Sequence, residues 1–218
     1  MSKRTILITG GSGTFGKILV RHFLDAGDTV IATARSQDSL AELQLQHKNR
    51  GEDFVGLQCD LTDEGASINL GWDLGRRGLF PDCLVNNARS LAYLKVEDNG
   101  QVSRDNFAGE FLLDVIVPYE LTMVLARQQN GRLRRVVNIG SQYGTVAANT
   151  RLYDDPVMQS PPHYSVAKAA LAHLTKELAV RLAPDEIQVN CIAFGGVEGR
   201  ADEEFRKRYA SLCPQGRM

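Results

Sequence analysis

Thr5-Ile6-Leu7-Ile8-Thr9-Gly10-Gly11-Ser12-Gly13-Thr14-Phe15-Gly16 runs from a short apolar, β-branched segment straight into a glycine-rich turn. Its first five residues read as a buried strand, and from Lys17 to Ala26 the residues Ile18, Leu19, Phe23 and Leu24 recur at helical spacing. Strand, glycine turn and helix in that order form the context in which such a turn binds a dinucleotide. Gly10 permits the tight turn, Gly13 lets backbone approach a pyrophosphate at the positive end of the helix, and Gly16 lets that helix pack close to the strand. Ser12, Thr14 and Phe15 lie between these glycines and join them in the expected cofactor-binding set.

Outward from the turn, the pattern repeats. Thr29–Ala34 reads as a second strand, residues 38–48 as a helix, Phe54–Cys59 as a third strand and Asp82–Ala88 as a fourth. Residues 104–129 carry one long helical pattern, bent near Pro118. Arg135–Ile139 reads as a fifth strand, a helix runs from about Pro162 to Ala183, and Gln188–Phe194 reads as a sixth strand. A charged segment, Ala201–Arg208, also reads as helical. Six strands alternating with helices predict an α/β fold, a doubly wound parallel sheet of Rossmann type, with residues 1–218 forming one dinucleotide-binding domain.

Strand ends narrow the cofactor. The second strand closes on Ala34, with Arg35-Ser36 next, where an acidic residue would favour NAD(H) by accepting from the ribose 2′-hydroxyl. A cation with a hydroxyl beside it suits a 2′-phosphate, so NADP(H) is the expectation, with NAD(H) as the alternative and a solvated Arg35 as the bland reading. Asp60 is placed either to accept from an adenine amino group or, with Thr62, to cap the next helix, and Leu61 adjoins it on the cofactor side. Asn86 and Asn87 close an apolar strand, where amides are costly unless used: one to brace neighbouring strand ends, the other to contact cofactor together with Ala88.

Tyr164 and Lys168 lie four apart on an alanine-rich helix behind Pro161-Pro162, and so project from one face. A free phenol, with a pKa of about 10, is a poor proton carrier at neutral pH, and an ammonium beside it favours the phenolate. The pair therefore reads as a tuned general acid/base.

Composition is ordinary for a soluble globular chain: 218 residues, 43% hydrophobic, 23% charged, net charge −1. Twenty-five cationic residues against twenty-six acidic ones leave no nucleic-acid footprint, and no long apolar run or signal pattern points to a membrane. Cys59, Cys83, Cys191 and Cys213 are scattered without paired spacing, which suggests thiols in a reducing compartment, so a cytoplasmic location is expected. No metal-ligand spacing appears; His22, His47 and His173 read as surface or packing residues, while His163 adjoins Tyr164.

Taken together, Thr9-Gly10, Gly13, Gly16, Asp60, Asn86-Asn87-Ala88, Ser141, Tyr164-x-x-x-Lys168 and Gly195-Gly196-Val197 resemble the short-chain dehydrogenase/reductase family along nearly the whole chain. The resemblance implies a hydride transfer between a nicotinamide cofactor and a small carbonyl or alcohol substrate. It implies that Tyr164 exchanges a proton with the substrate oxygen, Lys168 favours the phenolate and holds the nicotinamide ribose, Ser141 orients the carbonyl, and Val197 touches the nicotinamide. It also implies a homodimer through the helices carrying Asp114 and Tyr164.

Four departures stand out. Thr14 replaces a glycine of the turn, a spacing nearer to nucleotide-sugar-modifying relatives. Arg89 follows Asn86-Asn87-Ala88 where the family usually has glycine, and is either swung to solvent or aimed at a phosphate or carboxylate. Asp114, 27 residues before Ser141, stands where relatives place an asparagine of the proton relay; a carboxylate can hold a water but cannot donate when ionised. Phe194 replaces a proline. Relatives also continue past a segment like Cys213–Met218 with another helix and a seventh strand, so a six-stranded sheet with an open edge is expected, whether the chain is short by nature or a piece of a longer one.

Ser141 and Tyr164 are 23 residues apart, more than is common in the family, and the intervening loop carries Tyr143, Thr145, Arg151, Tyr153, Asp154 and Asp155. Such a polar, aromatic loop suits a hydroxyl-rich substrate and is similar to loops of relatives in bacterial surface-glycan and flagellin-sugar pathways. The expectation is a sugar or sialic-acid-like substrate. Two other functions remain open: a non-catalytic NADP(H)-binding sensor or scaffold, and a nucleotide-sugar epimerase or dehydratase.

Overall fold

The computed structural model describes residues 3–128, 130–199 and 201–218. Six strands, β1 (Thr5–Ile8), β2 (Thr29–Ala34), β3 (Phe54–Gln58), β4 (Cys83–Asn86), β5 (Arg135–Ser141) and β6 (Gln188–Phe194), form one parallel sheet in the order β3-β2-β1-β4-β5-β6. The order reverses between β1 and β4, and a crevice opens there beyond the strands' C-terminal ends, where α/β sheets bind ligands.

Alternation along the strands sets the two layers. Ile6 and Ile8 pack with Val30, Ala32 and Val85 against α1 (Thr14–Asp25) and α2 (Gln37–Gln46), through Val20, Leu24 and Leu43. On the other face, Leu7, Leu84 and Val136 meet α3 (Ala66–Arg76), α5 (Val117–Ala126) and α7 (Pro162–Leu182), through Leu70, Leu74, Leu121, Leu125 and Leu178. Each fully buried aliphatic side chain contributes about 1.5–3 kcal/mol, so the two layers hold the strand ends in fixed register. In α1 the inward stripe is Gly16, Val20 and Leu24, and Ile18 points outward, half-exposed.

The expected long helix over residues 104–129 is instead α4 (Arg104–Phe111), one wide π turn (Leu112–Ile116) and α5; its expected end at Gln129 lies outside the described residues. The reason is Pro118. It has no N–H for the carbonyl of Asp114, and its ring would crowd that carbonyl in a regular helix. The widened turn, closed by Val117 N–H on the Leu112 carbonyl, accommodates it and carries Asp114 inward.

Neither Asp60 nor Thr62 caps the following helix: Gly65 occupies the N-cap of α3, with a φ of 74° that favours glycine. The loop between Ser141 and Tyr164 holds three short helical turns, among them α6 (Pro156–Gln159). The charged segment forms α8 (Glu203–Leu212), beginning two residues later than its composition suggests, because Asp202 caps it by accepting from Phe205 N–H. Among the described residues no helix is long and apolar enough to cross a membrane.

Candidate active site

The glycine turn is packed so closely that side chains are excluded. A Cβ on Gly16 would lie 2.2 Å from the Gly10 carbonyl oxygen, and one on Gly10, whose φ is 64°, would lie 2.8 Å from Ala88 Cα. Gly13 caps α1 without a side chain, and the first helical bond runs from Lys17 N–H to Gly13. The first-turn amides thus open toward the cleft with the positive end of the helix dipole behind them, which fits a dinucleotide's phosphates.

Thr9 and Asn87 lock this turn to β4. The amides of Asn87 and Ala88 both donate to Thr9 Oγ1 at 3.0 Å, and Asn87 Nδ2 donates to the Thr9 and Gly10 carbonyls at 2.9 and 3.1 Å. Asn86 braces the other side, donating to Asn138 Oδ1 at 2.8 Å, and Asn138 donates to Thr175 Oγ1 at 2.9 Å. That buried chain ties β4 to β5 and to the middle of α7.

A cleft of about 900 Å³ runs from the glycine turn to α7. Its walls include Gly10, Ser12, Gly13, Thr14, Phe15, Arg35, Asp60, Leu61, Asn87, Ala88, Asp114, Ser141, Tyr164, Lys168 and Val197. Two of the expected cofactor-binding residues, Gly16 and Ser36, are not on the wall. Gly16 packs behind the turn, and the hydroxyl of Ser36 caps α2 by accepting from Ser39 N–H, leaving Ser39 as the wall residue. Asp60 Oδ1 accepts from the amide and hydroxyl of Thr62 at 3.0 and 2.7 Å, a local turn that fixes its carboxylate at the cleft margin. Phe194 lays its ring 4.9 Å from that of Phe15. The glycine loop behind it is tethered by α8: Gly196 N–H donates to Tyr209 Oη at 2.8 Å.

At the far end, Ser141 Oγ accepts from Tyr143 N–H at 3.2 Å, which leaves its own proton available to an oxygen in the cleft. Tyr164 is half-buried, with the Lys168 ammonium 5.8 Å and the Arg89 guanidinium 4.3 Å from its ring centre. Lys168 is buried and donates to Asp114 Oδ1 at 2.8 Å and to the Ile139 carbonyl at 2.9 Å. Asp114 therefore engages the ammonium itself, and its second oxygen has no partner among the described residues. His163, fully buried, meets the Tyr93 carbonyl through Nε2 at 2.6 Å and pins the start of α7; to make that bond Nε2 carries the proton.

One acid escaped the sequence reading. Glu110, one turn before Asp114 and 1% exposed, has both carboxylate oxygens unpaired and Arg89 Nε at 3.7 Å from Oε1. The i, i+4 spacing to Asp114 was the available signal. Burial, then repulsion from Asp114, pushes Glu110 from 4.5 up to about 7, against the pull of Arg89 and Lys168. The folded protein thus holds this proton more tightly than the unfolded chain, so stability from Glu110 is full below about pH 4.5 and is lost as pH rises to about 7. The loss is on the order of 3 kcal/mol. Glu110→Gln, compared with the parent by urea melts, should therefore be more favourable at pH 8 than at pH 4.5 by about that amount. An identical difference at both pH values would refute the assignment.

The fold and the cleft have counterparts among known proteins. The sequence profile described as short chain dehydrogenase matches residues 4–210. A short chain dehydrogenase of Leptospira borgpetersenii, solved with bound NAD+, is 29% identical with a TM-score of 0.83, covering 100% of this chain and 81% of that one. The RhlG/NADP active-site complex of Pseudomonas aeruginosa is 26% identical with a TM-score of 0.81, covering 100% and 84%. The post-translational flagellin modification protein A of Campylobacter coli is 24% identical over 98% of this chain and 84% of its own length. With the family profile over most of its length and the fold matched along the whole chain, the chain belongs to the short-chain dehydrogenase family of NAD(P)-dependent oxidoreductases.

Proposed function

We propose that this chain is an NADP(H)-dependent oxidoreductase acting on a carbonyl or alcohol carbon of a hydroxyl-rich, sugar-like substrate. The observation that carries it is the sharing of one cleft by the phosphate-binding turn and by Ser141, Tyr164 and Lys168. The nicotinamide cofactor, when bound, supplies or accepts the hydride. The turn from Gly10 to Gly16 and the first-turn amides of α1 hold its phosphates, with Asp60, Leu61, Asn87 and Ala88 along the walls and Val197 near the nicotinamide. Ser141 donates to the substrate oxygen and orients it. Tyr164 gives that oxygen a proton in reduction and removes it in oxidation. Lys168 provides positive charge beside the phenol, and Asp114 fixes where that charge sits.

NADP(H) is preferred in this reading because Arg35 stands exposed just past the end of β2 and on the cleft wall, flanked in the chain by Ala34 and Ser36 where an acidic residue would accept from a ribose hydroxyl. The relatives solved with NAD+ and with NADP leave both cofactors within the family's reach. The sugar-like substrate is supported by the loop after Ser141, where Tyr143 and Tyr153 pair hydroxyls at 2.8 Å, and by the likeness to a flagellin modification protein. Residues 1–218 act here as one dinucleotide-binding unit. The half-exposed Phe107, Ile116, Tyr119 and Val166 on the π turn and on α4, α5 and α7 favour a homodimer across those helices. Four unpaired thiols, with burial pushing Cys59 and Cys83 up to about 11, suit the cytoplasm.

The test is oxidation of NADPH and NADH against keto-sugars and simple ketones, with sedimentation on the same sample to read copy number. NADPH should be favoured at least about tenfold, and Arg35→Ala should remove most of that preference, as expected for one charge-assisted contact. A preference for small hydrophobic ketones would end the sugar reading, and equal use of both cofactors would end the NADP(H) reading.

A further inference from the structure

The reactive end of the cleft holds a cation that the reaction above does not use. Arg89 lines the cleft, its side chain 29% exposed, with its guanidinium 4.3 Å from the centre of the Tyr164 ring. Among the described residues it donates no hydrogen bond. Its one acidic neighbour, Glu110, lies at 3.7 Å, beyond hydrogen-bond distance, and both Glu110 oxygens are themselves unpaired. A guanidinium carries five donors in a rigid planar fork, and leaving them unmatched beside a protein wall is unfavourable. Lys168, the other cation at this end, is already engaged by Asp114 and the Ile139 carbonyl. Arg35 stands at the opposite, β2 end.

We propose that Arg89 anchors a carboxylate carried by the substrate a few bonds from the carbonyl that Tyr164 serves, so that the substrates are keto acids and hydroxy acids, acidic sugars among them. This rests on the oxidoreductase reading and narrows its substrate class. With the guanidinium 4.3 Å from the centre of the Tyr164 ring and both residues on the same cleft wall, the anion it takes lies near the phenol. The planar fork matches a carboxylate with two parallel hydrogen bonds. Glu110 holds Arg89 only loosely, because burial pushes this acid up to about 7 and it is only partly ionised at neutral pH. A fully ionised substrate carboxylate outcompetes it without stranding a full charge.

The experiment uses the whole chain and three probe pairs: 2-oxobutanoate, 3-oxobutanoate and a 2-keto-3-deoxyaldonate, each against its primary amide. Turnover with NADPH is measured, and binding to the NADP+-loaded protein is measured by calorimetry. At least one acid should be favoured over its amide by about 30-fold, on the order of 2 kcal/mol at about 1.4 per tenfold. Arg89→Gln should bring that ratio to within about threefold, and Arg89→Lys should keep part of it, since an ammonium retains the charge without the fork. The ratio is internal to each sample, so a partly inactive preparation does not distort it. Amides bound as well as acids, or a ratio unchanged in Arg89→Gln, would overturn the proposal. So would a more than tenfold loss of NADPH affinity with the ratio intact, which would assign Arg89 to the cofactor. Arg89-dependent binding of acids without turnover would keep the anchor and remove the oxidoreductase reading. Turnover of neutral keto-sugars without acid preference would do the reverse.

Discussion

Tyr164→Phe should lower kcat by about 10²–10⁴-fold while leaving NADPH affinity within a few-fold of the parent. The change removes one oxygen and keeps the ring, so the stacking of Arg89 at 4.3 Å and the packing at the start of α7 persist. What disappears is the group proposed to move a proton at the substrate oxygen. Ser141 remains to donate a hydrogen bond, and Lys168 remains buried against Asp114, too constrained by two acceptors to swing into the phenol's place. Single-turnover rates with enzyme in excess, together with a fluorescence titration of NADPH, separate the two effects. A variant that reduces carbonyls at more than a tenth of the parental rate would show that another group carries the proton. Equal losses of rate and cofactor affinity would show that the hydroxyl serves binding.

Where the geometry is local, the sequence discloses it. The turn from Gly10 to Gly16 is legible because only glycine tolerates a neighbour at 2.2 Å or a φ of 64°, and the strand before it and the helix after it follow from their own periodicities. Tyr164 and Lys168 are legible because four residues make one helical turn. Glu110 was missed because its meaning is tertiary: an acid on a mixed helix reads as solvated until the chain folds α4 under Arg89. A brace between strand ends was expected of Asn86 or Asn87, but its partners Asn138 and Thr175 were not, since the three members come from β4, β5 and α7. Pro118 announces a bend near itself, but not that the bend takes the form of a π turn over Leu112–Ile116 with Asp114 bonded to Lys168, a residue of another helix. That Ser39, not Ser36, lies on the cleft wall was not legible, because the Ser36 hydroxyl is drawn back to cap α2.

Asp114 and Lys168 form the buried ion pair on which the site's geometry rests, and breaking it should cost about 3–5 kcal/mol. Their side chains are 3% and 6% exposed, and the ammonium has Asp114 Oδ1 and one backbone carbonyl as its acceptors. Asp114→Ala leaves that ammonium without a counter-ion in a poorly solvated place, and Lys168→Met does the same to the carboxylate. Either loss should move the urea midpoint down by roughly 1–3 M, taking a slope of about 2 kcal/mol per M. The double variant Asp114→Leu with Lys168→Met buries no unpaired charge and should be more stable than both singles, which is the mark of coupling. Glu110 adds a pH signature. It feels both members of the pair, repelled by Asp114 and attracted by Lys168. With Asp114 gone it ionises more readily and becomes the ammonium's remaining acid, so the cost of Asp114→Ala should be largest near pH 5, shrink as pH rises toward about 7, and level off above it. Costs that simply add in the double variant, or an Asp114→Ala penalty indifferent to pH, would mean that the carboxylate and the ammonium stabilise the fold separately and that Asp114 does not hold Lys168 beside the phenol.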